Sequence, residues 1–600
     1  MCGFVGKISK YNIDNQNIIK ANQSLICRGP DETVHKQGSL SDFNHKSSLS
    51  YSLVFNRLSI IDLSDKASQP MYSNEFNTMI LFNGEIYNHR DLRKDLENKG
   101  IKFFSNHSDT EVLLNGLSFY GDDFLGKLVG QFAIAFLDMR NMKLKLIKDR
   151  VGQKPLFYKI DNQNITFSSN LKTLVTVDND NEVDKESYID FLNYGVVPSP
   201  KTIFKNVYKL RPAEILTLDL NEDFLKYKTK IYWNLQDFVS NKKFQMEEFE
   251  NLFNSAVQYR TESDVDFGAL LSGGLDSTSI VKSLNFTSAP VNTFSIGYKD
   301  TKYDESKWFT KVADYFNTNS EKVIMSINEI NDELENAEDS LDEPYFDPSV
   351  LPSYIVAKKI SQHYKVVLTG DGGDELMGGY LRFQNMITKR KINKSIISLL
   401  YRQYPWHFGT GNRIASLSKD LTFNYLSYFS DKKLLAGLKI SDSKNLENNF
   451  ITGSMTNPKD FMLFDFKFYL SEMMMLKVDR TSMANSVEAR SPFVDHRLIE
   501  YMLSCDISFL NSNSKYPLKK YLGEDFSTDF LDRKKMGFVF NLEDWVYSNS
   551  KKILSYLEKQ NTFNIFEVDS LKMLEQRKSR INAQRIWKIY TIEKYLNKFI

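Results

Sequence analysis

Apolar positions follow two patterns along the 600 residues, and the change falls near residue 250. Up to about residue 210 they come in short runs separated by turn residues. "TMILFNGEIYN" (78–88), "QFAIAFLDM" (131–139) and "KLKLIKD" (143–149) alternate or stay apolar, which predicts strands. Helical stretches at 90–99 and 109–120 interrupt them. Strands, then helices, then strands again predict an α+β unit. A polar stretch at 219–230 and a helix opening at 242–250 put the boundary between about 215 and 240. Beyond it, "FGALLSGGLDSTSIVKSL" (267–284) is a buried strand, a Gly-rich turn and a helix. "VNTFSIGY" (291–298) and "KVVLTGDGGDELMGGY" (365–380) add two more strands. Strands alternating with helices predict an α/β unit, a parallel sheet covered on both faces. From about 385 the pattern is mostly helical.

Composition narrows the function. A chain this long exceeds one core, and the expectation is two to four domains, about 100–200 residues each. The net charge is +1, so neither nucleic acid nor a membrane surface is expected as a partner. No run of eighteen apolar residues and no basic-then-apolar leader is present, so no membrane span or signal peptide is expected. Three cysteines, Cys2, Cys27 and Cys505, cannot form a disulfide framework, and a reducing cytoplasm is expected. Lys and Asn are abundant, which reads as genome composition.

Two stretches carry chemistry. "MCGFVG" puts Cys2 directly behind the start methionine. Removal of Met1 leaves a thiol and a free α-amine on one residue, a nucleophile with a candidate base. "LLSGGLDSTS" (270–279) ends a strand, turns through Ser272, Gly273 and Gly274, and starts a helix at Asp276 and Ser277. Such a turn lets backbone N–H groups approach an anion closely. It is not a Walker loop, because no Gly-Lys-Ser/Thr follows. "LTGDGGDELMGGY" (368–380) repeats the logic with Asp371, Asp374 and Glu375. Asp276 and Asp374, at the ends of neighbouring parallel strands, suit magnesium, which takes one or two carboxylates plus phosphate oxygens.

"CGFVG", "CRGPDE" (27–32), "NRLSIID" (56–62), "FNGEIYN" (82–88), "SDTEVLL" (108–114) and "DRVGQKPLFY" (149–158) resemble the amidase domain of class II glutamine amidotransferases. "SGGLDS" (272–277) is similar to the pyrophosphate loop of ATP pyrophosphatases. With "DEPYFDPSVLPSY" (342–354), "LKVDRTSMANSVEARSPFVDHRL" (476–498) and "RKKMGF" (533–538), the ordered set resembles the glutamine-hydrolysing asparagine synthetases. The resemblance covers about residues 1–550. It implies an N-terminal-nucleophile αββα sandwich at 1–215 and a synthetase domain with an ATP-pyrophosphatase core and a helical C-terminal part at 235–600.

The resemblance also implies roles, residue by residue. Cys2 is the nucleophile; Asn83 and Gly84 form the oxyanion hole. Arg57, Asn83, Glu85 and Asp109 bind glutamine, Arg57 through its α-carboxylate. Leu271, Ser272, Gly273, Gly274, Asp276, Ser277, Ile296, Thr369 and Gly370 bind ATP. Asp276 and Asp374 hold Mg²⁺, Lys535 neutralises phosphoryl charge, and Asp371 assists the second half-reaction. The substrates are then glutamine, aspartate and ATP, in a cytoplasmic enzyme, with a homodimer as the candidate assembly. The rival reading amidates another carboxylate in surface-polysaccharide or secondary-metabolite biosynthesis.

Four further expectations concern detail. "RGPD" (28–31) reads as a Pro-fixed turn with a local Arg–carboxylate pair. Asp347 and Ser349 are candidates to read the substrate ammonium. Glu488 and Arg490, two apart, do not share a helix face, and most of 477–497 reads as interior scaffold. A glutaminase fused to a synthetase also calls for a mainly apolar passage that keeps ammonia neutral. The tail beyond about 555 carries no usable motif.

Overall fold

The computed structural model describes residues 2–42, 47–179, 181–222, 224–286, 290–298, 305–325, 332–388, 392–441, 445–451, 453–511, 513–533 and 541–599. The N-terminal half is built from two six-stranded sheets. The first contains β1 (Cys2–Ser9), β2 (Glu32–Ser39), β3 (Ser50–Arg57), β8 (Phe157–Ile160), β9 (Asn164–Ser168) and β10 (Val207–Lys209), in the order β10-β8-β9-β1-β3-β2. The second contains β4 (Met71–Ser73), β5 (Thr78–Ile86), β6 (Gly130–Asp138), β7 (Lys143–Lys148), β11 (Glu214–Asp219) and β12 (Lys228–Ile231), in the order β12-β11-β7-β6-β5-β4. The strand pairs are antiparallel.

Alternation along these strands decides the layering. Phe4, Ile8, Leu53 and Phe55 of the first sheet share one core with Leu81, Ala133, Leu144 and Leu216 of the second. On the outer face of the second sheet, Ile80, Phe82 and Phe132 pack against Leu92, Leu96, Val112 and Leu113 of two helices. On the outer face of the first, Val5 and Val54 pack against Ile18, Ala21 and Leu25. The result is four layers, αββα. The central strands of both sheets face apolar cores on two sides and read as near-continuous apolar runs, whereas the edge strands β2 and β12 stay largely exposed.

The second half is organised by a parallel sheet of β13 (Phe267–Leu270), β14 (Asn292–Tyr298), β15 (Asn319–Met325), β16 (Val366–Leu368) and β17 (Glu488–Arg490), in the order β15-β14-β13-β16-β17. Ala269 and Leu368 pack with Phe249, Phe253 and Val281 of helices on one face. Phe294 and Val367 pack with Val356 and Ile360 on the other. Such two-sided cover is what a parallel sheet requires. Helices dominate after Leu381, ending with Arg580–Leu596. No helix among the described residues is long and apolar enough to cross a membrane.

The two halves are joined by buried charge. Arg28 grips Asp479 with two hydrogen bonds, at 2.9 and 3.1 Å, across 451 residues of sequence. This corrects the local pairing expected for "RGPD": Asp31 turns instead to Lys365, 2.7 Å away. Burial alone would raise the Asp479 carboxyl, but Arg28 and Lys154 hold it well below the usual carboxylate range. Lys209 pairs with Glu343 at 2.7 Å, and Asp342, held by Arg480 at 2.7 Å within its own half, accepts from the Leu171 N–H of the other at 2.9 Å. The stretch 477–497 is therefore interior, as expected, but it is also a charged seam between the halves. Apolar contacts close the remainder: Leu58, Ile60 and Ile61 sit against Val366 and Met483.

Candidate active sites

The first site forms where β1 begins. Cys2 stands opposite Arg57 in the β1–β3 register. Cys2, Arg57, Gly84, Glu85 and Asp109 line one cavity, with Leu58, Gln69 and Thr110. The main-chain nitrogen of Cys2 donates to Asn83 Oδ1 at 3.1 Å. That bond turns the amide so that Asn83 Nδ2 is left over. Nδ2 is buried and has no partner among the described residues. An unspent buried donor beside a nucleophile is what an oxyanion hole needs. Gly84 cannot be replaced: its φ is +156°, and a Cβ would lie 2.0 Å from the Gln131 carbonyl oxygen. Burial pushes the Cys2 thiol above its ordinary value, with Arg57 among the groups drawing it back.

Arg57 is pre-set rather than free. Its Nη1 donates to the Ser64 carbonyl at 3.0 Å and its Nη2 to the Asp62 carbonyl. Asp109 accepts from the Ile86 N–H at 3.1 Å, which anchors its helix to β5. Glu85 is buried. Burial, then the Asp109 and Glu488 carboxylates, push its carboxyl well above the ordinary range, against the pull of Arg490. Gln69 was missed by motif reading. Its side chain accepts from the Phe82 N–H at 2.7 Å and donates to Thr110 Oγ1 at 3.2 Å, so it pins the strand that carries Asn83.

The second site lies at the carboxyl ends of β13 and β16. The Leu271 N–H donates to the Phe294 carbonyl at 2.7 Å and ends the strand. Ser272 and Ser277 close the loop: their hydroxyls are 3.1 Å apart, and Ser277 Oγ donates to the Gly274 carbonyl at 3.2 Å. Gly273 has φ +72° and lies so close to the helix Ser306–Tyr315 that a Cβ would meet Phe309 N at 2.6 Å. Gly370 and Gly373 bring the second loop onto the first; a Cβ on Gly373 would lie 2.6 Å from Asp276 Oδ1. Ile296 lies on β14, and Thr369 follows β16, its N–H bonded to the Arg490 carbonyl at 2.8 Å. Ser491 Oγ donates to the Asp371 carbonyl.

Asp276 and Asp374 do converge, and on a cation the sequence did not single out. Lys515 Nζ lies 2.5 Å from Asp276 Oδ2 and 2.6 Å from Asp374 Oδ1. Two carboxylates already sharing one positive charge suit a divalent ion shared with phosphate oxygens. Lys515 belongs to no recognisable motif; its φ of +56° is the local mark of a constrained position. Behind it, burial and then Asp374 raise the Glu375 carboxyl to about 7, with the Tyr380 hydroxyl opposing at 2.7 Å. Lys534 and Lys535 lie outside the described residues. Arg533, the last described residue before them, donates to the Gly273 carbonyl at 2.7 Å.

Asp347 and Ser349 are held by Lys477, which donates to Ser349 Oγ at 2.9 Å and lies 3.8 Å from Asp347. The C-terminal helix backs this loop, with Trp587 against the Phe346 ring at 5.9 Å and Tyr595 donating to the Asp342 carbonyl at 2.6 Å. Between the two sites a small cavity is lined by Gln131, Gln153, Lys154, Thr369, Asp479 and Ser491, beside Met475, Val478 and Ala489. The surface this cavity exposes is mainly apolar, and its Lys154 and Asp479 are turned onto each other at 3.5 Å.

The asparagine synthase family profile matches residues 248–597, and the glutamine amidotransferase domain profile matches residues 1–233. The chain belongs to the asparagine synthase family. It is 28% identical to asparagine synthetase [glutamine-hydrolyzing] 1 of Bacillus subtilis, covering 98% of this chain and 95% of that protein. It is 34% identical to a putative asparagine synthetase [glutamine-hydrolyzing] 2 of Methanocaldococcus jannaschii, over 64% of this chain and 76% of the relative. Asparagine synthetase [glutamine-hydrolyzing] 3 of B. subtilis is 30% identical, over 89% and 86%.

Proposed function

We propose that this chain makes asparagine from aspartate, ATP and the amide nitrogen of glutamine. The observation that carries the reading is the Cys2–Asn83 pair: a nucleophile whose main-chain nitrogen is held at 3.1 Å by an amide with an unspent donor. The glutaminase half is 1–215, completed by the strands that follow it, and the synthetase half is 235–600. With Met1 removed, the Cys2 α-amine takes the thiol proton. The thiolate attacks the glutamine side-chain carbonyl, and the oxyanion meets Asn83 Nδ2 and the Gly84 N–H. The amine returns the proton to departing ammonia, and water releases glutamate from the thioester. Arg57 and Asp109, with Glu85, hold the two ends of the amino acid.

In the second half an aspartate β-carboxylate oxygen attacks the α-phosphorus of ATP, and pyrophosphate leaves. Ammonia then attacks the acyl carbon, and AMP leaves with the electron pair. Ser272, Gly273, Gly274 and Ser277 cradle the pyrophosphate; Leu271, Ile296, Thr369 and Gly370 line the nucleoside side. Asp276 and Asp374 would hold Mg²⁺, which when bound supplies positive charge to the phosphates. Lys515 shares their charge, Lys535 is the residue put forward to neutralise charge on the transferred phosphoryl group, and Asp371 assists ammonia attack. Three free cysteines support cytoplasmic residence, and a homodimer is the assembly put forward.

The test is product identification with glutamine labelled at the amide nitrogen. Labelled asparagine with equimolar AMP and pyrophosphate is expected when aspartate and ATP are supplied. If aspartate is inert and a larger carboxylate, such as a uronic acid, takes the label, the asparagine reading fails.

A further inference from the structure

Glu85 and Gln131 face each other across the β5–β6 register. Both reach out of the glutaminase sheet to β17 of the other half. Glu85 Oε2 lies 3.1 Å from Arg490 Nη2, and Gln131 Nε2 lies 3.2 Å from Glu488 Oε1. Arg490 Nε closes the square on Glu488 Oε1 at 2.6 Å. Glu488 and Arg490 stand two apart on a strand, where alternate residues share a face; the helix argument did not apply. Arg490 Nη1 donates to the carbonyls of Arg260 at 3.0 Å and Glu262 at 2.6 Å. The guanidinium is wholly buried, and all three of its nitrogens are engaged. A planar fork gripped on every side holds its partner in one orientation. The other oxygen of Glu85, Oε1, is buried without a donor among the described residues, in a side chain that lines the Cys2 cavity.

We propose that Arg490 is a positioning residue for the glutaminase: it fixes Glu85 by Oε2 so that Oε1 meets the glutamine α-ammonium. The inference rests on the glutaminase reading of the Cys2 cavity. It makes the glutamine pocket a product of both halves, since Arg490 belongs to the synthetase sheet. The same strand end also reaches the nucleotide loop, through the Arg490 carbonyl to the Thr369 N–H at 2.8 Å. The groups facing Glu85 are Asp109 from its helix and Glu488 and Arg490 from β17, with Tyr87 and Arg260 stacked behind. Of these charged neighbours, Asp109 and Glu488 raise the Glu85 carboxyl and Arg490 draws it down. Without Arg490 the carboxyl keeps its proton to higher pH, and a neutral carboxyl binds an ammonium poorly.

The test uses the full chain and steady-state glutamine hydrolysis by wild type, Arg490→Gln, Arg490→Lys, Glu85→Gln and the double variant Glu85→Gln/Arg490→Gln. Arg490→Gln is expected to raise KM for glutamine about tenfold or more at pH 7, with kcat changed less than about threefold. The ratio of variant to wild-type kcat/KM should climb as pH is raised, because the proton on Glu85 is lost. Arg490→Lys should recover part of the affinity. In the Glu85→Gln background, Arg490→Gln should add less than about twofold, because the two act as one unit. An unchanged KM and a flat ratio overturn the proposal, as does an equal loss in both backgrounds. If Arg490→Gln is insoluble, Arg490→Lys carries the same KM and pH tests. Cys2→Ala runs alongside: glutamine turnover that survives it removes the glutaminase reading, whereas turnover lost there and untouched by Arg490 removes only this inference.

Discussion

The glutamine cavity and the nucleotide loops meet their ligands in opposite electrical states. The cavity keeps capacity unspent: Asn83 Nδ2 and Glu85 Oε1 are buried without partners among the described residues. The loops have already engaged their carboxylates, with Asp276 and Asp374 sharing Lys515 and the two serines closed on each other. The difference follows from the substrates. Glutamine is a net-neutral zwitterion that needs fixed donors and acceptors at set points. Those are cheapest to hold on paired strands with dry cores on both faces. ATP is a polyanion that arrives with its own cation, so a loop whose carboxylates faced nothing would be costly before it came. Lys515, set between the two carboxylates, offsets part of that cost.

The sharpest way to break the comparison is to remove the nucleophile. Cys2→Ala should cut glutamine-dependent synthesis by at least about 10³-fold. Synthesis driven by concentrated ammonium chloride should stay within about twofold, since no nucleotide contact changes. Side-by-side rates with the two nitrogen sources check this, and loss of both would make Cys2 structural. Next, Lys515→Met or Asp276→Asn changes the charge that the two loops share. AMP formation should fall by about 100-fold or more, roughly 3 kcal/mol, while glutamine hydrolysis persists. Pyrophosphate release measured beside glutamate release decides it; near-normal AMP formation in either variant rejects the shared-charge reading.

The smallest effect concerns stability. Glu375 is raised to about 7 in the folded protein, above its unfolded value. The native state therefore binds this proton more tightly than the unfolded chain does. The stability this confers is complete below the unfolded value and is lost as pH rises through about 7. Glu375→Gln removes the titration but keeps an acceptor for Tyr380. The variant should gain on wild type between about pH 5 and pH 8, by roughly 2–3 kcal/mol at most. Thermal unfolding at the two pH values measures it, and an equal Tm difference at both contradicts the assignment.

Much of the layering was readable in advance. The runs at 78–88 and 131–139 became β5 and β6, and the stretch at 109–120 became the helix Asp109–Tyr120. The two Gly-rich loops met, because parallel strands with helical crossovers deliver their carboxyl ends to one edge. Arg28 was misread as local because "RGPD" contains a carboxylate, while the stronger acceptor lies 451 residues away. Lys515 escaped because a lysine in "NSNSKYPLKKY" looks like ordinary surface charge, and Arg490 because a stretch read as interior scaffold names no partner for its charge.

The sequence by itself determined the local features: a cysteine behind the start methionine, glycines at strand-to-helix turns, carboxylates at strand ends, and the period that sorts sandwich from parallel sheet. These are local properties, set by residue type and spacing within a turn or a strand. Only the tertiary structure decided which charges face each other. Arg490 on Glu85, Arg28 on Asp479 and Lys515 between two aspartates join residues hundreds of positions apart. Burial makes each of those choices compulsory, because a charge removed from water must find its partner wherever the fold supplies one.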